Sequence, residues 1–103
     1  MVARGDVWWY DDPDNGRRPF LVLTRDSAIP VLHRLIAIPA TQTIRDIPTE
    51  VRVGRADGMP KTSVFTIDNI ASVRKSLLTK RITRLAPSKM REICDALRNA
   101  TDC

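Results

Sequence analysis

The sequence predicts a mainly β fold with helices (α+β): a small antiparallel β-barrel or sheet followed by a C-terminal α-helix. Three observations carry this. Short runs rich in aromatic and β-branched residues recur between residues 7 and 85. Proline, glycine and Asp/Asn clusters separate them. One apolar stripe of helical period occupies the last segment.

The elements follow in order. Val7-Trp8-Trp9-Tyr10 is aromatic and suits a strand. Asp11-Asp12-Pro13-Asp14-Asn15-Gly16 ends it with turn chemistry. Phe20-Leu21-Val22-Leu23-Thr24, after Pro19, is a second strand. It is apolar at both parities, so both its faces should be buried. The two runs form a hairpin. Arg25 to Arg34 contains Pro30 and reads as loop with a turn of helix. Leu35-Ile36-Ala37-Ile38 is a third strand, ended by Pro39.

Thr49 to Val53 alternates polar and apolar residues and reads as a half-buried strand. Gly54 to Pro60 is loop, and Ser63 to Asp68 has strand composition. Ile70 to Leu78 is ambiguous, and Lys80 to Leu85 reads as a last short strand. Met90, Ile93, Cys94 and Leu97 fall at i, i+3, i+4 and i+7 on one helical face. Pro87 suits the first helical position, which leaves Ala86 as N-cap. Alanine there costs about 1 kcal/mol against serine.

Size and composition set further bounds. The 103 residues, 43% of them apolar, form one domain with a packed core. No apolar run is long enough to span a membrane, and Met1 to Asp6 lacks a signal-peptide core, so a cytoplasmic protein is expected. The two cysteines, Cys94 and Cys103, would lie about 13 Å apart on one helix, too far for a disulfide. Cys94 is expected as a small buried apolar residue. With one histidine, His33, the common zinc sites are not available.

The net charge is +5, which suggests an anionic partner, nucleic acid first. Residues 69 to 91 hold seven basic residues and no acidic one; Asp11, Asp12 and Asp14 form the opposite cluster.

Most standard active sites are excluded. No nucleophile elbow, Walker loop or dinucleotide fingerprint occurs. A pair of catalytic histidines is impossible, and His33 sits in a polar connector beside Arg34. The ten Asp and two Glu show no metal-binding spacing, so a nuclease would work without metal or other cofactor. Metal-free RNA cleavage needs a base for the 2′-OH, an acid for the departing 5′-oxygen and donors for the charge on phosphorus. Arg17 and Arg18 stand where the first loop enters the second strand, and arginine grips phosphate bidentately. Thr41-Gln42-Thr43 follows the third strand with short hydrogen-bonding side chains.

The linear pattern narrows the choice. Arg4-Gly5-Asp6-Val7-Trp8-Trp9 followed by Arg18-Pro19-Phe20-Leu21-Val22 resembles the opening of the MazF/PemK (Kid) toxin family. Thr41-Gln42-Thr43-Ile44-Arg45 and Ile47-Pro48-Thr49-Glu50-Val51 resemble the next two segments of that family. Ser63 to Ile70 and Arg81 to Pro87 resemble the last two, in order and with compatible spacing.

The resemblance implies an SH3-like barrel of the CcdB/MazF/Kid type. It implies a homodimeric toxin of a type II toxin–antitoxin module that cuts single-stranded RNA at short motifs without metal. The targets would be mRNA, with rRNA and tRNA as alternatives, and the ends a 2′,3′-cyclic phosphate and a 5′-hydroxyl. A MazE-like antitoxin would neutralise it with an extended acidic segment. The family's catalytic pair falls on Arg18, for proton transfer and phosphate binding, and Thr41, for stabilising pentacoordinate phosphorus. Arg17, Gln42, Thr43, Asp68 and Asn69 would support the site or bind RNA.

Three departures stand out. The first loop is short, Thr66 stands where some relatives have arginine, and Ala86 replaces a capping serine. The short loop and Arg-rich composition resemble actinobacterial members. The same barrel serves CcdB-type gyrase poisons, but these end in aromatic residues, and this chain ends Asn99-Ala100-Thr101-Asp102-Cys103. A catalytically inactive RNA-binding barrel is the other alternative.

Overall fold

A computed structural model describes residues 1–103. Seven strands and one helix follow in order: β1 (Asp6–Asp12), β2 (Gly16–Val22), β3 (Arg34–Thr41), β4 (Glu50–Val53), β5 (Ser63–Thr66), β6 (Ala71–Arg74), β7 (Leu78–Arg84) and α1 (Pro87–Thr101). Every strand pairing is antiparallel. The mainly β fold with a C-terminal helix is as expected.

β3 organises the sheet. Its first half, Arg34 to Ala37, pairs with β6; its last two residues, Ala40 and Thr41, pair with β5. β5 carries β4 on its far side, while β2, β1 and β7 extend the sheet the other way. Pro39 therefore does not end the third strand, contrary to expectation. It sits where β3 changes partners, so its missing N–H breaks no ladder on that side. Pro19 likewise lies within β2, one residue before the β2–β3 ladder starts at Phe20.

The hairpin is tighter than the sequence indicates. Only Pro13, Asp14 and Asn15 separate Asp12 from its partner Gly16. Gly16 has φ 78°, the left-handed geometry that closes a three-residue loop. The ambiguous stretch from Ile70 to Leu78 resolves into β6, a turn of 3₁₀-helix at Lys75–Leu77 and the start of β7.

β2 is buried on both faces, as its composition predicts. Leu21 belongs to one apolar cluster with Val7, Ile38, Phe65 and Ile93. Phe20 and Val22 belong to another with Tyr10, Leu35 and Val73. Ile93 and Ala96 bury the helix, which packs on β4 and the short turn at Ile67–Asn69. Ala86 gives no side-chain cap. Cys94 departs from expectation: it is half-buried, and its Sγ accepts a hydrogen bond from Arg4 Nη2 at 3.6 Å. No helix is long and apolar enough to cross a membrane.

Asp6 ties the two ends of the chain together. Its carboxylate is fully buried at the start of β1. It accepts hydrogen bonds from Arg84 Nε at 2.9 Å, Ala3 N at 2.9 Å and Trp8 Nε1 at 3.2 Å. Arg81 approaches to 4.0 Å. The Asp6 carboxylate raises the Arg84 pKa, through the hydrogen bond first and its charge second.

Candidate active site

The Asp12 carboxylate clips the hairpin that leads into the site. Its Oδ1 accepts from Asp14 N at 2.9 Å and Asn15 N at 3.3 Å, and its Oδ2 from Asn15 Nδ2 at 3.1 Å. These bonds, the Asp14 amide first, hold its pKa below the ordinary 3.8; the Arg18 charge adds to the effect. The first residues of β2 are thus anchored from both sides, by this turn and by the β1 ladder.

Arg17 and Arg18 project from that start. They line a cleft of about 550 Å³ with Thr41, Gln42 and Thr43, which come from the end of β3. Five of the seven residues singled out in the sequence therefore meet in one place. Pairing of β2 with β3 does this: Phe20 opposes Pro39, so the residues just before Phe20 approach those just after Pro39.

Neither the Arg17 nor the Arg18 guanidinium forms a hydrogen bond or ion pair with the protein, so both sets of donors remain available. The Arg17 guanidinium carbon lies 4.7 Å from the centroid of the Trp9 ring. Thr41 is half-buried, and its Oγ1 accepts the Thr43 amide at 3.2 Å. That bond uses an oxygen lone pair and leaves the hydroxyl proton free to donate. The cleft lining carries three cations, Arg17, Arg18 and Lys61, and no carboxylate. The site can hold an anion in a fork of guanidinium donors, with a fixed hydroxyl opposite.

Asp68 and Asn69 are not among the cleft-lining residues. Both are exposed in the short turn after β5, where Asp68 Oδ2 accepts a 2.5 Å hydrogen bond from Thr49 Oγ1. Sequence reading missed Trp9, Lys61 and Ser63, which also line the cleft. Ser63 and Lys61 arrive through the β3–β5 pairing, for which the sequence carries no local signal. Trp9 could have been found from the strand's alternation, which sets it on the opposite face from buried Tyr10.

Comparison with known proteins identifies the family. The family of PemK-like, MazF-like toxins of type II toxin–antitoxin systems matches residues 3–101. A Mycobacterium tuberculosis protein named probable endoribonuclease MazF5 is 45% identical over 104 residues, covering 100% of this chain and 95% of its own. A mycobacterial endoribonuclease solved in complex with its cognate antitoxin superposes with TM-score 0.90 at 28% identity, covering 99% of this chain and 96% of that one. The M. tuberculosis toxin MazF-mt6 superposes with TM-score 0.87 at 30% identity over 94% of this chain and 96% of its own. The chain belongs to the family of PemK-like, MazF-like toxins of type II toxin–antitoxin systems.

Proposed function

We propose that this chain is the toxin of a type II toxin–antitoxin module, a homodimeric endoribonuclease that cuts single-stranded RNA at a short motif without a metal. Its action would block translation in the cytoplasm until a cognate antitoxin binds. The observation that carries the reading is the juxtaposition of Arg18 and Thr41 in one cationic cleft, with the Arg18 donors uncommitted. The relative named an endoribonuclease and the neighbour bound to its antitoxin support it.

In this reading the 2′-oxygen of the substrate attacks the adjacent phosphorus, and the bond from phosphorus to the 5′-oxygen breaks. The products are a 2′,3′-cyclic phosphate and a 5′-hydroxyl. The proton lost by the 2′-OH ends on the departing 5′-oxygen, so the step consumes no other reactant, and Arg18 on the phosphate relays it between the two. A guanidinium is a poor base in water, so its contribution is largest as a bidentate donor that charges and orients the phosphoryl oxygens. The Thr41 hydroxyl donates to the pentacoordinate phosphorane. Arg17 and Lys61 add positive charge along the strand, and Gln42 and Thr43 offer donors and acceptors to neighbouring nucleotides. Asp68 and Asn69 would act from outside the cleft, as RNA contacts beyond the scissile nucleotide.

The test is to incubate the purified protein with a long single-stranded RNA in excess EDTA, then map cut positions and end chemistry. Discrete cuts at one motif with cyclic-phosphate ends are expected. Intact RNA across diverse substrates, from a folded protein, would replace this reading with a binding-only barrel.

A further inference from the structure

The basic run between residues 69 and 91 does not feed the catalytic cleft. Arg81 and Arg84 converge on Asp6, and Lys89 Nζ bonds Arg52 O at 3.1 Å. Arg74 and Lys75 instead meet His33 and Arg34 around a second notch of about 290 Å³, completed by Ser76. No apolar and no acidic residue lines it.

The notch is costly to maintain. Arg34 and Arg74 are direct cross-strand partners in the β3–β6 ladder, which sets two like charges side by side. Nothing in the protein neutralises them: neither guanidinium has an ion pair. Arg34 and Lys75 are nevertheless held in place. Arg34 Nη1 donates to Ser72 O at 3.1 Å, and Lys75 Nζ donates to Ile29 O at 2.8 Å. The ladder is locked beside them by Lys75 N donating to His33 O at 2.9 Å. A held cluster of guanidinium and ammonium donors with no apolar lining suits a small polyanion rather than a peptide anchored by apolar side chains.

We propose that this notch is a second phosphate-binding subsite, which holds a phosphodiester of the substrate strand remote from the scissile bond. The inference rests on the ribonuclease reading above. Arg34 begins β3 and Thr41 ends it, so their Cα atoms lie about 23 Å apart along the strand at about 3.3 Å per residue. A single strand several nucleotides long bridges that distance; a minimal substrate does not. The notch therefore lowers KM for long RNA and leaves the chemical step alone.

The experiment compares wild type with Arg74→Gln and with the double variant Arg34→Gln/Arg74→Gln. Each is assayed on a 30-nucleotide RNA and on a 6-nucleotide RNA centred on the mapped cut. For the long RNA, KM should rise roughly tenfold with kcat unchanged, the size of one lost charge-assisted hydrogen bond. The short RNA should be cut as by wild type. The slope of long-RNA binding against log salt should fall by about 0.7 for each phosphate that the variant no longer neutralises. Because Arg74→Gln removes the like-charge pair and no side-chain hydrogen bond, its melting temperature should hold or rise. Arg74→Gln alone keeps the Arg34–Ser72 bond and serves if the double variant fails to fold.

Equal KM changes on both lengths, or no change on either, would overturn the proposal. So would inorganic phosphate stabilising wild type but not the variants while RNA length makes no difference, since the ligand would then be the free ion. If wild type cuts neither RNA, the ribonuclease reading fails instead. The salt dependence of binding then decides the notch by itself, and an unchanged slope in the variants rejects it.

Discussion

The Arg17 guanidinium lies 4.7 Å from the centre of the Trp9 ring, on the wall of the cleft that also holds Arg18 and Thr41. Trp9 opposes Pro19 in the β1–β2 ladder, so Arg17 is its diagonal neighbour on the same face. An exposed cation–π contact of this kind contributes about 0.5–1 kcal/mol, too little to matter for the fold. Its consequence is orientation: the ring restrains a flexible side chain beside the cleft that both residues line.

Trp9→Ala should therefore impair RNA binding more than stability. Stacking of a base on an aromatic or guanidinium surface is worth about 1–3 kcal/mol, so a KM increase of roughly 5- to 150-fold is expected. Trp9→Phe should recover most of it. Steady-state cleavage of one RNA by the three proteins checks this, and a pure kcat effect would assign Trp9 elsewhere.

Arg18→Ala should lower cleavage at least about 100-fold, the lower range for a proton-transfer group. Arg18→Lys should fail nearly as badly, because an ammonium lacks the bidentate fork. Both variants should fold, since the Arg18 guanidinium makes no hydrogen bond or ion pair with the protein. Circular dichroism alongside single-turnover cleavage separates loss of chemistry from loss of fold. Lysine restoring wild-type rates would reduce Arg18 to a point charge.

Asp6→Asn should be among the most destabilising single changes. The buried carboxylate accepts hydrogen bonds from Arg84, Trp8 and the Ala3 amide, and an amide cannot accept all of them. The cations left behind are half exposed, so the loss is that of the buried donors left unsatisfied, about 1–3 kcal/mol. Urea unfolding of wild type and variant measures it. A change below about 1 kcal/mol would show that the three hydrogen bonds contribute little.

How much of the fold and site is legible in the sequence depends on the range of the signal. Apolar residues at both parities of Phe20 to Leu23 announce a strand buried on two sides, and two separate clusters cover it. The helix is readable from its stripe because i, i+3 and i+4 spacing is local. Pro39 misleads because a proline in a sheet usually ends a strand; here its place is where β3 changes partners, a fact of topology. Among site residues, Arg17, Arg18 and Thr41 to Thr43 flank strand ends and carry polar chemistry where a turn should be, which marks them. Lys61 and Ser63 have no such mark and reach the cleft only through β5. The basic run is visible in the sequence but cannot be divided there: only the folded arrangement separates Arg84, spent on Asp6, from Arg74, left unpaired.

The turn of the first hairpin should loosen in acid. Asp12 is held below its ordinary 3.8 by the amides of Asp14 and Asn15, the Asn15 side chain and the Arg18 charge. A depressed carboxylate stabilises the folded state fully above its unfolded pKa, and loses that contribution as pH falls through the lower, folded value. The clip is therefore intact at neutral pH and is lost only as the pH falls below the ordinary carboxylate value, because its hydrogen bonds hold Asp12 under it. Amide exchange at Asp14 and Asn15, followed from neutral pH down into the acid range and corrected for intrinsic rates, should show protection lost as the pH falls below the ordinary carboxylate value. Asp12→Asn should show the loosened turn at every pH, with slower RNA cleavage at neutral pH, because Arg17 and Arg18 follow directly on the turn it clips. Exchange that is flat with pH in wild type would mean the ladder alone, and not the Asp12 carboxylate, holds the start of β2.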